Sequence, residues 1–324
     1  MSLGRGAALL FACLAVAAPA AAQRFSFERS FDAAEITELD ASTIRGKIDV
    51  APGKSGTIEV LGTVTVRNIQ VVAADPVAIA RDVTDHPPID VVEHTLRLRP
   101  PADSVAQRAV TVDYRVRVPP GTRVKAVSDS GVISLDRISA PAYVRTQSSA
   151  IALTDMSGVT EVATGSGAVS IHGASAGLTI TTESSSIRGR NVRGPLSIRT
   201  QSGEVDASLT GDGAVDVRTG SSAITVDGVK GALRASSESG RVRVSGSPAA
   251  PWQLWSGSGS LDVTLAPAAA AAVDASTGSG SVRSEGEPIV GASSQRSLRG
   301  ALRGGGPSVR VESRSGSVRI RAEP

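Results

Sequence analysis

A short motif recurs along this chain at a nearly constant interval, and that interval limits the fold more than any other feature. QSSAIAL (Gln147 to Leu153) is one copy. DSGVISL precedes it, and GSGAVSI, ESSSIRG, QSGEVDA, GSSAITV, ESGRVRV, GSGSLDV, GSGSVRS and RSGSVRI follow. Their third positions are Gly131, Ser149, Gly167, Ser185, Gly203, Ser222, Gly240, Gly259, Gly280 and Gly316. The first four steps are 18 residues each, then 19, 18, 19, 21 and a double step of 36. A period of this size means stacked units, each burying its apolar face against its neighbours. The expected fold is all-β, a single-stack β-solenoid (β-helix) with about 18 residues per coil. Aromatic residues are only 2% of the chain, which suits a narrow core column better than a globular interior.

Each coil carries two alternating segments around a corner, as in YVRT (Tyr143 to Thr146), Gln147-Ser148-Ser149 and AIAL (Ala150 to Leu153). Laying the coils over one another gives columns. The deepest reads Ile133, Ile151, Val169, Ile187, Val205, Ile224, Val242, Leu261, Val282, Leu298 and Val318. A second inward column reads Val144, Val162, Ile180, Ile198, Val217, Ala235 and Leu254. Both are aliphatic and mostly β-branched, as pleated strands prefer. A Thr/Ser column runs from Ser128 through Thr146 and Thr164 to Ser313. An all-serine column runs from Ser130 through Ser148 to Ser315. Both are expected to hydrogen-bond from coil to coil. The Gly or Ser that follows them suits a turn needing φ > 0 or lacking room for bulk. APAAAAAV (Ala266 to Val273) and SEGEPIVGASSQ (Ser284 to Gln295) read as outward bulges on the stack, and Leu298 as the coil inside the double step.

Three parts follow from the pattern: a signal segment over 1–22, a β-rich part continuous with the solenoid over 23–125, and the repeats over 126–324. The first has Arg5, the apolar Ala7 to Ala18 and the small-residue site Ala20-Ala21-Ala22, so cleavage before Gln23 and export are expected. The one cysteine, Cys13, follows bulky Phe11, which weighs against a lipoprotein acceptor. With the signal removed the chain has no thiol, disulfide or Cys-based metal site, and nothing calls for a transmembrane helix. In the second part KIDVAP (Lys47 to Pro52) and TIEVLGTVTVR (Thr57 to Arg67) read as strands joined by a hairpin turn at Gly53 to Gly56. VDYRVRVP (Val112 to Pro119) reads as a third strand, and Pro87 to Pro101 as a second hairpin. Ala73 to Asp85 is the least regular stretch. The block is expected to cap the first coil, whose edge would otherwise be unpaired.

At this point the residues resemble a family. YRVRVPPGTRVKAVSDSGVISL (Tyr114 to Leu135), the ending LRGGGPSVRVESRSGSVRI (Leu302 to Ile320) and IRGKIDVAPGKSGTIEV (Ile44 to Val60) are similar to the adhesin-like DUF4097 family. The resemblance implies an exported bacterial β-solenoid of the toast-rack kind, found among envelope-associated proteins, and it brings no catalytic residues.

The residues themselves point away from catalysis. A nucleophilic serine needs a held base, usually His. Only His172 lies in the repeats, at a strand end. The outward column Ser134, Ala152, Ser170, Arg188, Asp206, Thr225, Arg243, Asp262, Arg283, Arg299 and Arg319 interleaves acid and base, which reads as an ion-pair ladder. No Asp recurs at a fixed place, so neither a calcium repeat nor any cofactor is expected. The net charge of +3 is spread along the chain, and no aromatic–basic interleaving of a nucleic-acid surface is present. A binding surface is the remaining reading, with Trp255 outward beside inward Trp252 and Leu254, and a basic patch of Arg283, Arg299 and Arg319 near Arg303, Arg310 and Arg314. The expected function is a non-enzymatic envelope or surface protein, whether periplasmic, surface-held or secreted. It would bind an envelope protein, a glycan or its own kind. The alternative is a polysaccharide-active enzyme on a β-helix, which would need two carboxylates about 5–9.5 Å apart.

Overall fold

The computed structural model of this protein describes residues 23–67 and 75–324. The signal segment 1–22, Cys13 within it, and residues 73 and 74 of the irregular stretch lie outside the described residues. The rest folds into two long sheets, one of 14 strands and one of 15, here sheet one and sheet two. From Arg123 to Leu265 every coil gives one strand to each sheet, and neighbouring coils pair in parallel. The fold is a β-solenoid.

The register follows the aliphatic columns. In sheet one Ile133 stands opposite Ile151, then Val169, Ile187, Val205, Ile224, Val242 and Leu261. In sheet two Val144 leads through Val162, Ile180, Ile198, Val217 and Ala235 to Leu254. All of these side chains are buried in one continuous core. Each Val, Ile or Leu among them contributes about 1.5–3 kcal/mol by leaving water, so the two columns hold the stack.

The ends depart from simple stacking. At the first end Ile48–Pro52 lies between Val110–Val118 and Ile133–Asp136, and Glu38–Thr43 lies between Thr95–Leu98 and Arg123–Ser128. The first coil in the chain is thus the second in space. At the other end Ser308–Ser313 lies between Trp252–Ser256 and Ala271–Thr277, while Val318–Ala322 lies between Leu261–Leu265 and Val282–Gly286. The last coil in the chain is therefore the penultimate one in space.

This threading corrects several expectations. Strands Ile48–Pro52 and Thr57–Val66 do not form a hairpin, because Val110–Val118 sits between them, parallel to the first and antiparallel to the second. The hairpin at Ile89–Val92 and Thr95–Leu98 does form. Pro76–Asp85 is a helix: the Asp75 carboxylate accepts from the Val77 N–H, Pro76 sits in the first turn, and Ala80 and Val83 face the core. A second helix, Ser104–Ala109, is capped by Asp103. Ala271 and Val273 are buried in a strand rather than bulging outward. Residues 284–295 include the end of strand Val282–Gly286 and the whole of strand Val290–Ser293. Leu298 belongs to an antiparallel strand of sheet two, opposite Ala275, so it leaves the deepest column of sheet one. Ser294 reverses the chain there: its hydroxyl accepts from the N–H groups of Arg296 and Ser297. Alternation marks which residues point inward but carries no strand direction.

The corner chemistry also sorts out. The Thr/Ser column is buried, and its hydroxyls accept the N–H three residues on: Gly131 to Ser128, Gly203 to Thr200, Gly240 to Ser237, Gly259 to Ser256, Gly316 to Ser313. Several also donate to the corner carbonyl of the adjacent coil, as Ser237 does to Ser222. The all-serine column is instead exposed from Ser130 to Ser315. Few of its hydroxyls bond to another coil, as Ser130 does to Ile44. Gly167, Gly203 and Gly240 are required by close approach, since a Cβ there would overlap the carbonyl oxygen of Ser149, Ser185 or Ser222 in the neighbouring coil. Positive φ occurs at a different corner, where Arg137, Asp155, Gly173 and Asn191 have φ of 50°, 49°, 76° and 57°.

Candidate binding face

The outer face of sheet two is built from the residues that alternate with its aliphatic column. One outward column runs Tyr143, Glu161, Thr179, Ser197, Asp216, Arg234 and Gln253. The next runs Arg145, Ala163, Thr181, Arg199, Arg218, Ser236 and Trp255, in register across the same strands. Beside it the first corner positions include Gln147, Glu183, Gln201 and Glu238. Between these last two rows lies an open groove of about 1040 Å³ that runs along the solenoid axis from Arg145 to Trp255. Ala163, Thr181, Gly165, Gly220 and Ser236 leave the space, because their side chains are short.

Trp255 is 36% exposed and closes one end of the groove, whereas Trp252 is fully buried and donates its indole N–H to the Gly231 carbonyl at 3.0 Å. The alternation expected for Trp252, Leu254 and Trp255 therefore holds. Arg218 is held by Asp216 at 2.9 Å. Arg145 and Arg199 have no acidic partner within salt-bridge distance among the described residues. Glu183 and Glu238 are the carboxylates of the groove. They stand three strand spacings apart in the corner column, about 14 Å at about 4.8 Å per spacing. Glycosidic cleavage needs about 5–9.5 Å between its two carboxylates.

Toward the N-terminal end of this face, Asp40 lies opposite Lys125 and Arg97 in the register. Its carboxylate meets Arg99 at 2.9 Å and Lys125 at 3.3 Å. Burial raises its pKa, but the hydrogen bond and charge of Arg99, with Lys125, outweigh that and hold it below the ordinary carboxylate value. Tyr114 behind this group is buried and donates to the Arg99 carbonyl at 2.8 Å, and burial pushes its phenol upward.

The three arginines expected to form one patch do not come together. Arg283 and Arg319 are neighbours in sheet one, with Arg319 next to Asp262. Arg299 is in sheet two and pairs with Asp274 at 2.9 Å. Glu285 engages both Arg319 and Arg321, at 3.3 and 3.0 Å. Arg303 pairs with Glu287, and Arg310 with Glu312. The expected ladder along the sheet-one column is likewise made mostly with residues outside it: Asp206 binds Arg190 at 2.7 Å and Arg188 only at 3.8 Å. Asp262 meets Arg241 at 3.9 Å. His172 is exposed on its strand, and among the described residues no group of three His, Cys, Asp or Glu could hold a metal ion. No described helix is long and apolar enough to cross a membrane.

The groove was not expected from the sequence. Its signal was available in the short residues Ala163, Thr181 and Ser236 at outward positions between Arg145 and Trp255, and in Gly165 and Gly220 at the corner.

The family model described as Toastrack DUF4097 matches residues 160–321, half of the chain. The chain belongs to the Toastrack DUF4097 family. Its matched span covers most of the groove, from Ala163 to Trp255. Two solved structures resemble this Toastrack chain at low similarity. A candidate cell adhesion protein from Clostridium sporogenes aligns at 11% identity and TM-score 0.21, over 93% of this chain and 100% of that one. A candidate adhesin from Bacteroides fragilis aligns at 11% identity and TM-score 0.29, over 92% and 97%. No curated protein matches the chain.

Proposed function

We propose that this Toastrack chain is a non-enzymatic protein of the cell envelope or surface, exported through its N-terminal segment. In this reading it binds an envelope protein or glycan along the outer face of sheet two. The groove from Arg145 to Trp255 is the observation that carries the reading. It offers exposed hydroxyl, amide, guanidinium and indole groups over successive coils. Its two carboxylates are too far apart for the acid–base pair of a glycosidase. Repeat proteins present such extended surfaces because each coil repeats the same outward positions.

The test is pull-down of envelope partners from the native source with wild type and with Ala163→Arg. Arginine is already native at three positions of that column, so the substitution fills the groove without touching the core. A partner retained by wild type and lost by the variant is expected. Equal retention by both, or polysaccharide cleavage abolished by Glu183→Gln, would overturn the reading.

A further inference from the structure

Aromatic placement narrows the chemistry of the ligand. The chain has two Trp and two Tyr. Trp252 and Tyr114 are buried, while Trp255 and Tyr143 both stand on the outer face of sheet two. Trp255 adjoins Ser236, and the floor then runs through Arg218 and Arg199 to Thr181 and Ala163, so an apolar indole lies at the end of a row of hydroxyl and guanidinium groups. That pairing suits a sugar ring, which stacks its C–H face and hydrogen-bonds with its edge.

Charge excludes the competing polymer. The groove's cations are Arg145, Arg199 and Arg218, and its rim carries Glu183 and Glu238. Asp216 already holds Arg218. Among the described residues, two unpaired guanidinium groups against two carboxylates leave the groove without net charge, whereas a groove for a polyanion carries unbalanced positive charge and binds in proportion to the phosphates it neutralises.

Length and periodicity add a third constraint. The register runs from Arg145 through Ala163, Thr181, Arg199, Arg218 and Ser236 to Trp255. Its six steps, at about 4.8 Å each, span about 29 Å along the axis. Each step is close to the rise of one unit in an extended glycan. Gln147, Glu183, Gln201 and Glu238 along the rim are planar groups able to meet adjacent hydroxyls two at a time.

We propose that this groove binds a neutral linear glycan lying along the solenoid axis, with one sugar ring stacked on Trp255. The assignment rests on the sheet-two binding face proposed above and names its ligand class. The test is calorimetric titration of the full chain with cellohexaose, xylohexaose, mannohexaose and chitohexaose. A heparin oligosaccharide and a single-stranded oligonucleotide serve as polyanions. Variants are Trp255→Ala, Ala163→Arg and, on the other sheet, Arg283→Ser, each checked for native circular dichroism. Binding of at least one neutral hexasaccharide is expected. Its affinity should fall about tenfold in Trp255→Ala, be lost in Ala163→Arg, and stay unchanged in Arg283→Ser and between low and high salt. Three results would each overturn the assignment: no neutral hexasaccharide bound at millimolar concentration, binding indifferent to Trp255→Ala or Ala163→Arg, or binding confined to a polyanion and removed by salt. If Ala163→Arg still blocks an envelope partner while no hexasaccharide binds, the glycan assignment falls and the binding face stands.

Discussion

Val318 stands directly opposite Leu261 in neighbouring parallel strands of sheet one, although the chain between them builds another coil and a hairpin farther out. The last coil thus fills a slot that the chain had skipped, and both of its faces are covered. Its inward side chains Val309, Val311, Val318 and Ile320 are all buried.

Removal of residues 308–324 should therefore do more than fray a terminus. Four buried aliphatic side chains at about 1.5–3 kcal/mol each represent about 6–12 kcal/mol, comparable to the whole stability of an ordinary domain. Ala271–Thr277 and Val282–Gly286 would lose their parallel partner as well. Hydrogen exchange should show protection lost in both of those strands and along the newly bared edge of Leu261–Leu265. Protection retained in Val282–Gly286 after the truncation would contradict the insertion.

The corner column separates two kinds of position. Gly240 lies against the Ser222 carbonyl oxygen, and a methyl there would overlap it. Gly240→Ala should destabilise by about 1–3 kcal/mol, read as a lower urea midpoint. Ser222→Gly in the neighbouring coil removes only a partly exposed hydroxyl that donates to the Ser202 carbonyl, and should cost less than the glycine change. A reversed order would show that close approach to the Ser222 carbonyl is not what selects glycine at this position.

The repeat interval was enough to read the solenoid, both aliphatic columns and the inward or outward sense of Trp252 and Trp255, because alternation and period are local properties. Order in space was not readable. Leu298 has the same alternation whether its strand runs parallel or antiparallel, and the turn at Ser294 that decides it uses residues common in any loop. The helix Pro76–Asp85 leaves a weak periodic signal because only Ala80 and Val83 mark its buried face, although Asp75-Pro76 carries a start signal. The arginine patch failed for the same reason as Leu298. Register carried from residue spacing alone put Arg299 in the wrong sheet, and acids distant in sequence, such as Glu285, were free to neutralise the others.

The two hydroxyl columns should respond unequally to truncation. Ser237 is buried and accepts the Gly240 N–H at 2.7 Å, so Ser237→Ala leaves that donor unsatisfied at a cost of about 1–3 kcal/mol. Ser239, two residues on, is exposed, and Ser239→Ala should change stability by less than about 0.5 kcal/mol. Thr164 is the exception within the buried column: its hydroxyl has no partner among the described residues, and the Gly167 N–H goes to Ser185 instead. Thr164→Val should therefore be neutral or stabilising. Thermal unfolding of the three variants checks the set, and a destabilised Thr164→Val would show that its hydroxyl is satisfied after all.

Asp40 gives the fold an acid dependence whose sign follows from its partners. Arg99 and Lys125 hold the carboxyl below its ordinary value in the folded protein against the opposing effect of burial. A depressed folded pKa stabilises the protein above the unfolded value of about 3.9, and that contribution is lost as pH falls through the folded pKa. At neutral pH Asp40→Asn should lower the melting temperature, since it leaves Arg99 and Lys125 without their shared anion. The gap between variant and wild type should narrow as pH drops below about 4. A gap that stays constant from neutral pH into acid would show that Asp40 acts there by shape and hydrogen bonding rather than by its charge.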